Sequence, residues 1–338
     1  MWAVDETFLK LNSIYERLVP ETRYGRTQRN ARMTTTELNF DYLRENAVER
    51  EQLPPPTLEL DHLDTLWLQV TGTLCNLACL HCFISCGPNN DSHEMMELET
   101  VEKAIRDGAA QGVKDYYFTG GEPFMHDDIR EMISYTLEYG PLTVLTNGIL
   151  IDEETAEWCA KTFEESRYNF DLRVSLDGTT PEENDAIRGR RTFDKIIASI
   201  EQLYEKGLNP VITVTTCHAG SGGEAGRRRF YEFVRSRGIS QPRLKFLAPF
   251  KIGREERRAG GYEEWERLRE GDLVDGEAEQ LQCSSCRMVT ANGVYPCPIL
   301  IEEDDALMGQ ELADGLQDIE LRHQACYTCH VEGVSCAT

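Results

Sequence analysis

The sequence predicts an α/β protein: an open (β/α)6 barrel followed by a small cysteine-rich region of β-hairpin and helix. Three observations carry this. From about residue 65 to 247, short apolar runs rich in Val, Leu, Ile, Tyr and Phe alternate with segments whose apolar residues recur at helical spacing. Glycine-bearing turns stand directly after several of these runs, at the carboxyl ends of the strands, where α/β folds place their ligand sites. Ten of the 12 cysteines collect in short groups, one early in the barrel and one near the end of the sequence.

Residues 1–60 are polar and mixed. Phe8, Leu9, Leu11, Ile14, Tyr15 and Leu18 fall at helical spacing and stop before Pro20, which predicts an amphipathic helix serving as a strap. Pro54-Pro55-Pro56 is a stiff connector into the barrel, expected over 61–248. Its strands are read at 66–71, 116–118, 142–145, 170–175, 211–215 and 244–247. Between them lie helices marked by Met96, Leu98, Val101, Ala104 and Ile105, by Ile129, Met132, Ile133 and Leu137, and by the stretch from Asp152, an N-cap, to Phe163. Two more are read over 193–204 and near 230–234. Beyond Pro249 the sequence turns charged and glycine-dotted. Tyr262 and Trp265 suggest a bridging helix at the start of a last domain, 249–338.

Composition narrows the function. With 338 residues and 40% hydrophobic content there is material for a substantial core. A net charge of −24 and a pI near 4.7 exclude non-specific nucleic-acid binding, which needs a basic surface. No apolar run approaches the roughly 18 residues of a membrane helix. Met1-Trp2-Ala3-Val4-Asp5 opens no signal-peptide core, so the expected location is the cytoplasm, with thiols kept for metals rather than for disulfides.

The first cysteine group is Cys75-Asn76-Leu77-Ala78-Cys79-Leu80-His81-Cys82, a C-x3-C-x2-C loop just after the first strand. Three thiolates on one loop hold three irons of a four-iron cluster and leave the fourth open to a small molecule. Zinc is the competing reading, because His81 stands beside Cys82, although zinc loops usually pair C-x2-C with a distant second pair. The strand-end turns are Thr119-Gly120-Gly121-Glu122-Pro123, Thr146-Asn147-Gly148 and Ser175-Leu176-Asp177-Gly178. Each alone is no more than a turn. Glycines let a ligand approach the backbone, and Glu122 offers an anionic acceptor for an ammonium. Cys86 follows the loop closely; as a fourth ligand it would close the open iron, so it is read as a structural thiol. His218 to Gly223 with Arg227, Arg228 and Arg229 lacks a phosphate-loop lysine and is read as a solvated loop.

The C-x3-C-x2-C loop, with His81 before its last cysteine and Gly120-Gly121-Glu122 one unit later, resembles the radical S-adenosylmethionine (SAM) enzymes. The six units likewise resemble the partial barrel of that fold. The resemblance implies a [4Fe–4S] cluster on Cys75, Cys79 and Cys82 whose open iron chelates SAM, and reductive cleavage of SAM to a 5′-deoxyadenosyl radical that abstracts a substrate hydrogen. It implies oxygen sensitivity. It also implies that His81, Gly120, Gly121, Glu122, Asn147, Ser175 and Arg188 contact SAM. Asp177, Asp185, Arg188 and Gly189 resemble the S-L-D-G…D-x-x-R-G pattern of the branch that carries extra clusters, in which Arg188 would pair with the methionyl carboxylate or, alternatively, form a surface ion pair.

The second cysteine group comprises Cys283, Cys286, Cys297, Cys326, Cys329 and Cys336, with a hairpin turn at Asn292-Gly293. Two C-x2-C pairs match a zinc ribbon as well as a cluster. Beside the first group, the region resembles the twitch or SPASM extension of radical SAM enzymes. The part from Cys283 to Cys297 is similar to the corresponding segment of molybdenum cofactor biosynthesis protein A. Six cysteines, against seven or more in a full SPASM domain, imply one auxiliary [4Fe–4S] cluster rather than two. Cys286, Cys297, Cys326 and Cys329 are its first candidates, Cys283 is next, and Cys336 is left over.

The expected function is therefore hydrogen abstraction from a small molecule such as a sugar, nucleotide or natural-product intermediate, leading to dehydrogenation, epimerisation or C–C or C–S bond formation. Flavodoxin or ferredoxin would supply electrons. The alternatives are a maturase acting on a ribosomally made peptide and, from another class, a non-catalytic iron–sulfur carrier or zinc-binding adaptor.

Overall fold

The computed structural model describes residues 52–273 and 278–333. The helix expected in the strap and Cys336 lie outside the described residues. A single parallel sheet organises the chain. Its strands β2 (Thr65–Gln69), β3 (Asp115–Thr119), β4 (Leu142–Thr146), β5 (Phe170–Ser175), β6 (Val211–Thr215) and β7 (Arg243–Leu247) are the six expected, within two residues at each end. Between them run α1 (Leu98–Ala110), α2 (Ile129–Thr136), α3 (Glu153–Glu165), α4 (Pro181–Arg188), α5 (Phe193–Glu205) and α6 (Gly223–Ser236). Asp152 caps α3, accepting from Thr155 N at 2.9 Å. Further helices are α7 (Gly253–Ala259) and α8 (Gln324–Val331).

The side-chain alternation of each strand builds two cores. Leu66, Leu68, Tyr116, Phe118, Val144, Leu172, Val174, Ile212 and Val214 face outward and pack under the helices. Trp67 and Tyr117 face inward, joining Cys75, Cys86, Met288 and Ile299. The alternation thus separates a structural face from a face that lines the interior.

The hairpin of β8 (Cys286–Thr290) and β9 (Gly293–Tyr295) forms at Asn292-Gly293 as read, but does not stand apart. β8 pairs in parallel with β2, Thr65 opposite Cys286 through Leu68 opposite Val289, so the order is β7-β6-β5-β4-β3-β2-β8-β9. The cysteine-rich region extends the barrel sheet by two strands. The proline connector is also tied down: β1 (Thr57–Leu58) pairs with β10 (Ile319–Glu320), and Glu270 N donates to Pro54 O at 2.8 Å. No described helix is long and apolar enough to cross a membrane.

Candidate active site

The three-cysteine loop leaves β2 through Gly72, whose φ of +53° and whose missing Cβ, which would lie 2.0 Å from His93 O, suit glycine alone. Backbone bonds then close the loop on itself: Cys75 N donates to Gly87 O at 3.2 Å and Gly87 N to Thr73 O at 3.1 Å. A second hold comes from a residue the sequence reading did not single out. Arg254, at the start of α7, donates from its backbone N–H to Cys82 O (3.0 Å), from Nε to Cys79 O (2.8 Å), from Nη1 to Ser85 O (2.9 Å) and from Nη2 to Cys86 O. Gly253 makes this approach possible, because a Cβ there would sit 2.2 Å from Phe83 O. One guanidinium thus fixes the carbonyls of the loop before any metal is bound.

Cys75, Cys79 and Cys82 line one cavity of about 230 Å³ at the carboxyl ends of the strands. Burial pushes the Cys75 thiol up to about 12 and the Cys79 thiol to about 11. Cys82 behaves oppositely: a hydrogen bond from the Cys86 thiol, helped by Arg254, lowers it to about 6. Cys86 N also donates to Cys82 Sγ at 3.3 Å, and Cys86 is itself buried and driven well above its usual range as the proton holder of the pair. Cys86 therefore supports the Cys82 sulfur. Three thiols around one cavity, one of them ready to ionise, match the donor set of an iron–sulfur cluster.

His81, Gly120, Gly121, Asn147, Ser175 and Arg188 line the same cavity, as the sequence grouped them. Gly121 presses on the cysteine loop, a Cβ there falling 1.9 Å from Leu74 O. Asn147 Nδ2 donates to Asn76 Oδ1 at 2.7 Å and lies 3.7 Å from Cys75 Sγ. Glu122 is placed differently: it is fully buried and does not line the cavity. Its carboxylate accepts from Thr146 Oγ1 (2.7 Å), Asn147 N (2.7 Å) and Phe124 N (3.3 Å), stitching the end of β3 to the end of β4. Burial raises it to about 7 despite these donors. It shapes the ledge of Gly120, Gly121 and Asn147 from beneath.

Neither aspartate of the S-L-D-G…D-x-x-R-G pattern lines the cavity. Asp177 is buried, 2.5 Å from His81 Nε2 and 2.7 Å from Arg188 Nε, and accepts from Thr215 N at 2.8 Å. Burial alone would raise it, but Arg188 and His81 hold it well below the usual carboxylate range. Arg188 is thus in a buried pair rather than a surface one, and its position at the cavity wall is fixed by Asp177. Asp185 accepts from Arg191 N and Phe193 N, at 2.6 and 2.9 Å, and secures the turn into α5. Arg227, Arg228 and Arg229, read as part of a solvated loop, lie on α6, where Arg229 is engaged by Glu183 at 2.6 and 2.9 Å.

In the second group, Cys283, Cys297, Cys326 and Cys329 line one apolar cavity walled by Leu300 and Leu321. Cys286 is not among its lining residues; it is fully buried at the start of β8, with Sγ 3.6 Å from Pro296 O. Burial pushes the Cys326 thiol up to about 12, so that ionisation there calls for a bound metal.

Fold and site together define a barrel whose strand ends hold a three-thiol cluster loop against a glycine-lined ledge. The sequence profile of the radical SAM superfamily matches residues 70–227 of this chain. The three thiols of the first loop suit a [4Fe–4S] cluster, and the thiols of the cavity walled by Leu300 and Leu321 suit a second. The chain is similar to mycofactocin maturase MftC of Mycolicibacterium smegmatis, 36% identical over 138 residues, which are 40% of this chain and 33% of that protein. It is also similar to the probable GTP 3′,8-cyclase of Methanosarcina mazei, 32% identical over 145 residues, 40% of this chain and 41% of that protein. The matches thus span less than half the length of these relatives. Among solved structures, Streptococcus suis SuiB has a TM-score of 0.56 at 16% identity, covering 94% of this chain and 77% of that chain, a likeness of fold.

Proposed function

We propose that this chain reductively cleaves SAM and uses the 5′-deoxyadenosyl radical to abstract hydrogen from a small-molecule substrate, with help from one auxiliary cluster. The observation that carries this is the single cavity shared by Cys75, Cys79 and Cys82 with Gly120, Gly121, Asn147, Ser175 and Arg188. When bound, the cluster would supply one electron to the sulfonium of SAM. The chain's own residues do the placing. Arg254 holds the loop, Glu122 sets the ledge from below, Asp177 aims Arg188 at a carboxylate, and the apolar lining of Leu77, Phe83, Leu247 and Phe250 keeps water from the interior.

For the auxiliary site the cavity favours Cys283, Cys297, Cys326 and Cys329 as ligands, with Cys286 as a packing thiol. A second reading, peptide maturation, is favoured by the similarity to mycofactocin maturase. A reductant of the flavodoxin or ferredoxin type completes the proposal in either case.

The test is anaerobic reconstitution followed by assay for 5′-deoxyadenosine. Wild type is expected to form it and Cys79→Ala to form none. Iron is expected to fall by about four atoms per chain in Cys283→Ser. Cys286→Ser should keep its iron. Formation of no 5′-deoxyadenosine by wild type carrying its full iron would overturn the reading.

A further inference from the structure

Two cysteines beside the large cavity meet sulfur to sulfur, and just one of them is among the three thiols assigned to the cluster. Cys86 donates its thiol to the Cys82 sulfur, and Cys86 N donates to the same sulfur at 3.3 Å. The other two loop thiols are turned to other groups. Cys79 Sγ lies 4.0 Å from Arg188 O, and Cys75 Sγ lies 3.8 Å from Asn76 Oδ1 and 3.7 Å from Asn147 Nδ2.

The backbone takes an uncommon path to bring these sulfurs together. Ser85 N donates to Cys82 O at 3.2 Å, closing a turn, and Ser85 itself sits at φ +51°, a left-handed conformation that disfavours any side chain. It is held there because Ser85 O accepts from two sides, from Arg254 Nη1 at 2.9 Å and from Asn90 Nδ2 at 3.0 Å. The reversal carries Cys86 back onto a residue four positions earlier. Cys82 is half-buried, Cys86 is 4% exposed, and both line the cavity. A small molecule entering there meets Cys82 first, with a second thiol in contact behind it. That is the arrangement in which one sulfur is oxidised and its neighbour resolves it.

Resting on the cluster reading of the loop given above, we infer that Cys82 and Cys86 form a reversible oxidation site, which closes as a disulfide when the metal-free loop meets a peroxide. One peroxide oxygen passes to the Cys82 sulfur as a sulfenic acid, and the other leaves as water. The Cys86 sulfur then attacks that of Cys82. Its proton departs with the sulfenic hydroxyl as a second water, and the S–S bond forms. The two thiols lose two electrons and the peroxide takes them up. With Cys82 bonded to Cys86 the loop presents two thiols in place of three, so a cluster is inserted only after a dithiol reductant reopens the pair. The bond also keeps Cys82 from reaching the sulfinic acid, which such reductants do not reverse.

The test uses the full-length protein, stripped of iron under reductant and then desalted. Hydrogen peroxide is added in small excess, free thiols are capped with iodoacetamide, and chymotrypsin cuts after Phe83, between the two cysteines. A Cys82 peptide and a Cys86 peptide joined by a bond that dithiothreitol breaks are expected. Full capping of Cys86, or Cys82 joined to Cys75 or Cys79 instead, would overturn the inference. Cys86→Ser, which nearly keeps the size of the side chain and cannot form the bond, is treated alike. Its share of Cys82 found as the sulfinic acid should exceed that of wild type about fivefold or more, and equal shares would likewise count against the site. A protein that forms the mapped bond yet makes no 5′-deoxyadenosine after reconstitution would keep this oxidation site and overturn the function proposed above. One that makes 5′-deoxyadenosine but never joins Cys82 to Cys86 would do the reverse.

Discussion

Substituting Glu122 by Gln should remove a pH dependence from the stability of the metal-free protein. Glu122 is fully buried, and burial lifts it from its ordinary 4.5 to about 7. Between those values the native state keeps a proton that the unfolded chain has released. Native stability therefore declines as pH rises through this window, and the loss is complete above about 7. Two and a half pH units correspond to about 3 kcal/mol. A glutamine has nearly the shape of the acid and does not titrate, although its amide nitrogen must face either Asn147 N or the pair of Thr146 Oγ1 and Phe124 N, which costs about 1–3 kcal/mol at every pH. Measured against wild type, Glu122→Gln should thus gain about 2 kcal/mol between pH 5.5 and pH 8. Urea unfolding midpoints of the apo protein under reductant, taken every half unit from pH 5.5 upward and so above the pI of 4.7, measure this. Parallel stability curves for the two proteins would refute the reasoning. The same substitution should impair SAM binding, because Asn147 N then loses a charged acceptor.

Two further outcomes follow from the cysteine loop. In Cys86→Ala the thiol hydrogen bond to Cys82 is gone, so Cys82 should rise from about 6 toward the ordinary thiol range. Alkylation of the apo protein at pH 7 should then slow by roughly tenfold or more, and an unchanged pH–rate profile would count against the assignment. Arg254→Gln breaks the charged bonds to the carbonyls of Cys79, Ser85 and Cys86. Amide hydrogen exchange at residues 82–86 should accelerate at least tenfold, about 1.4 kcal/mol, with lower iron retention after desalting. Unaltered exchange would mean that the loop holds itself.

Much of this was legible in the sequence because strand alternation is a local property. Leu66 and Leu68 against Trp67, or Leu172 and Val174 against Arg173, set both the strand and its two faces within five residues. The cavity-lining positions followed from their places at strand ends. What escaped was long-range or masked by charge. α6 begins at Gly223, seven residues before the stretch read as helical, because Arg227, Arg228 and Arg229 hide its apolar period. The bridging helix is α7, ended by Gly260, while Trp265 instead meets the Tyr327 ring edge-on at 5.8 Å. A period-2 run at 286–290 announces a strand without saying which edge it joins. Arg254 carried no local signal at all, because its partners lie some 170 residues away. The acidic residues show the same limit: a glutamate after two glycines reads as a ligand group from its chemistry, and only packing reveals that Glu122 is beneath the ledge.

The parallel pairing of β8 with β2 bears on how such a chain can be cut and rejoined. The strand that launches the three-cysteine loop has one neighbour from the barrel and one from the cysteine-rich end, so the terminal region is a structural half of that strand's support. It is not a detachable cassette. A truncation ahead of Cys286 would bare a flat, apolar edge at Leu66-Trp67-Leu68 and invite self-association of the barrel. Chimeras that exchange the metal-binding ends of related enzymes are best spliced so that the β8–β9 hairpin travels with the barrel and only the segment after Tyr295 is swapped.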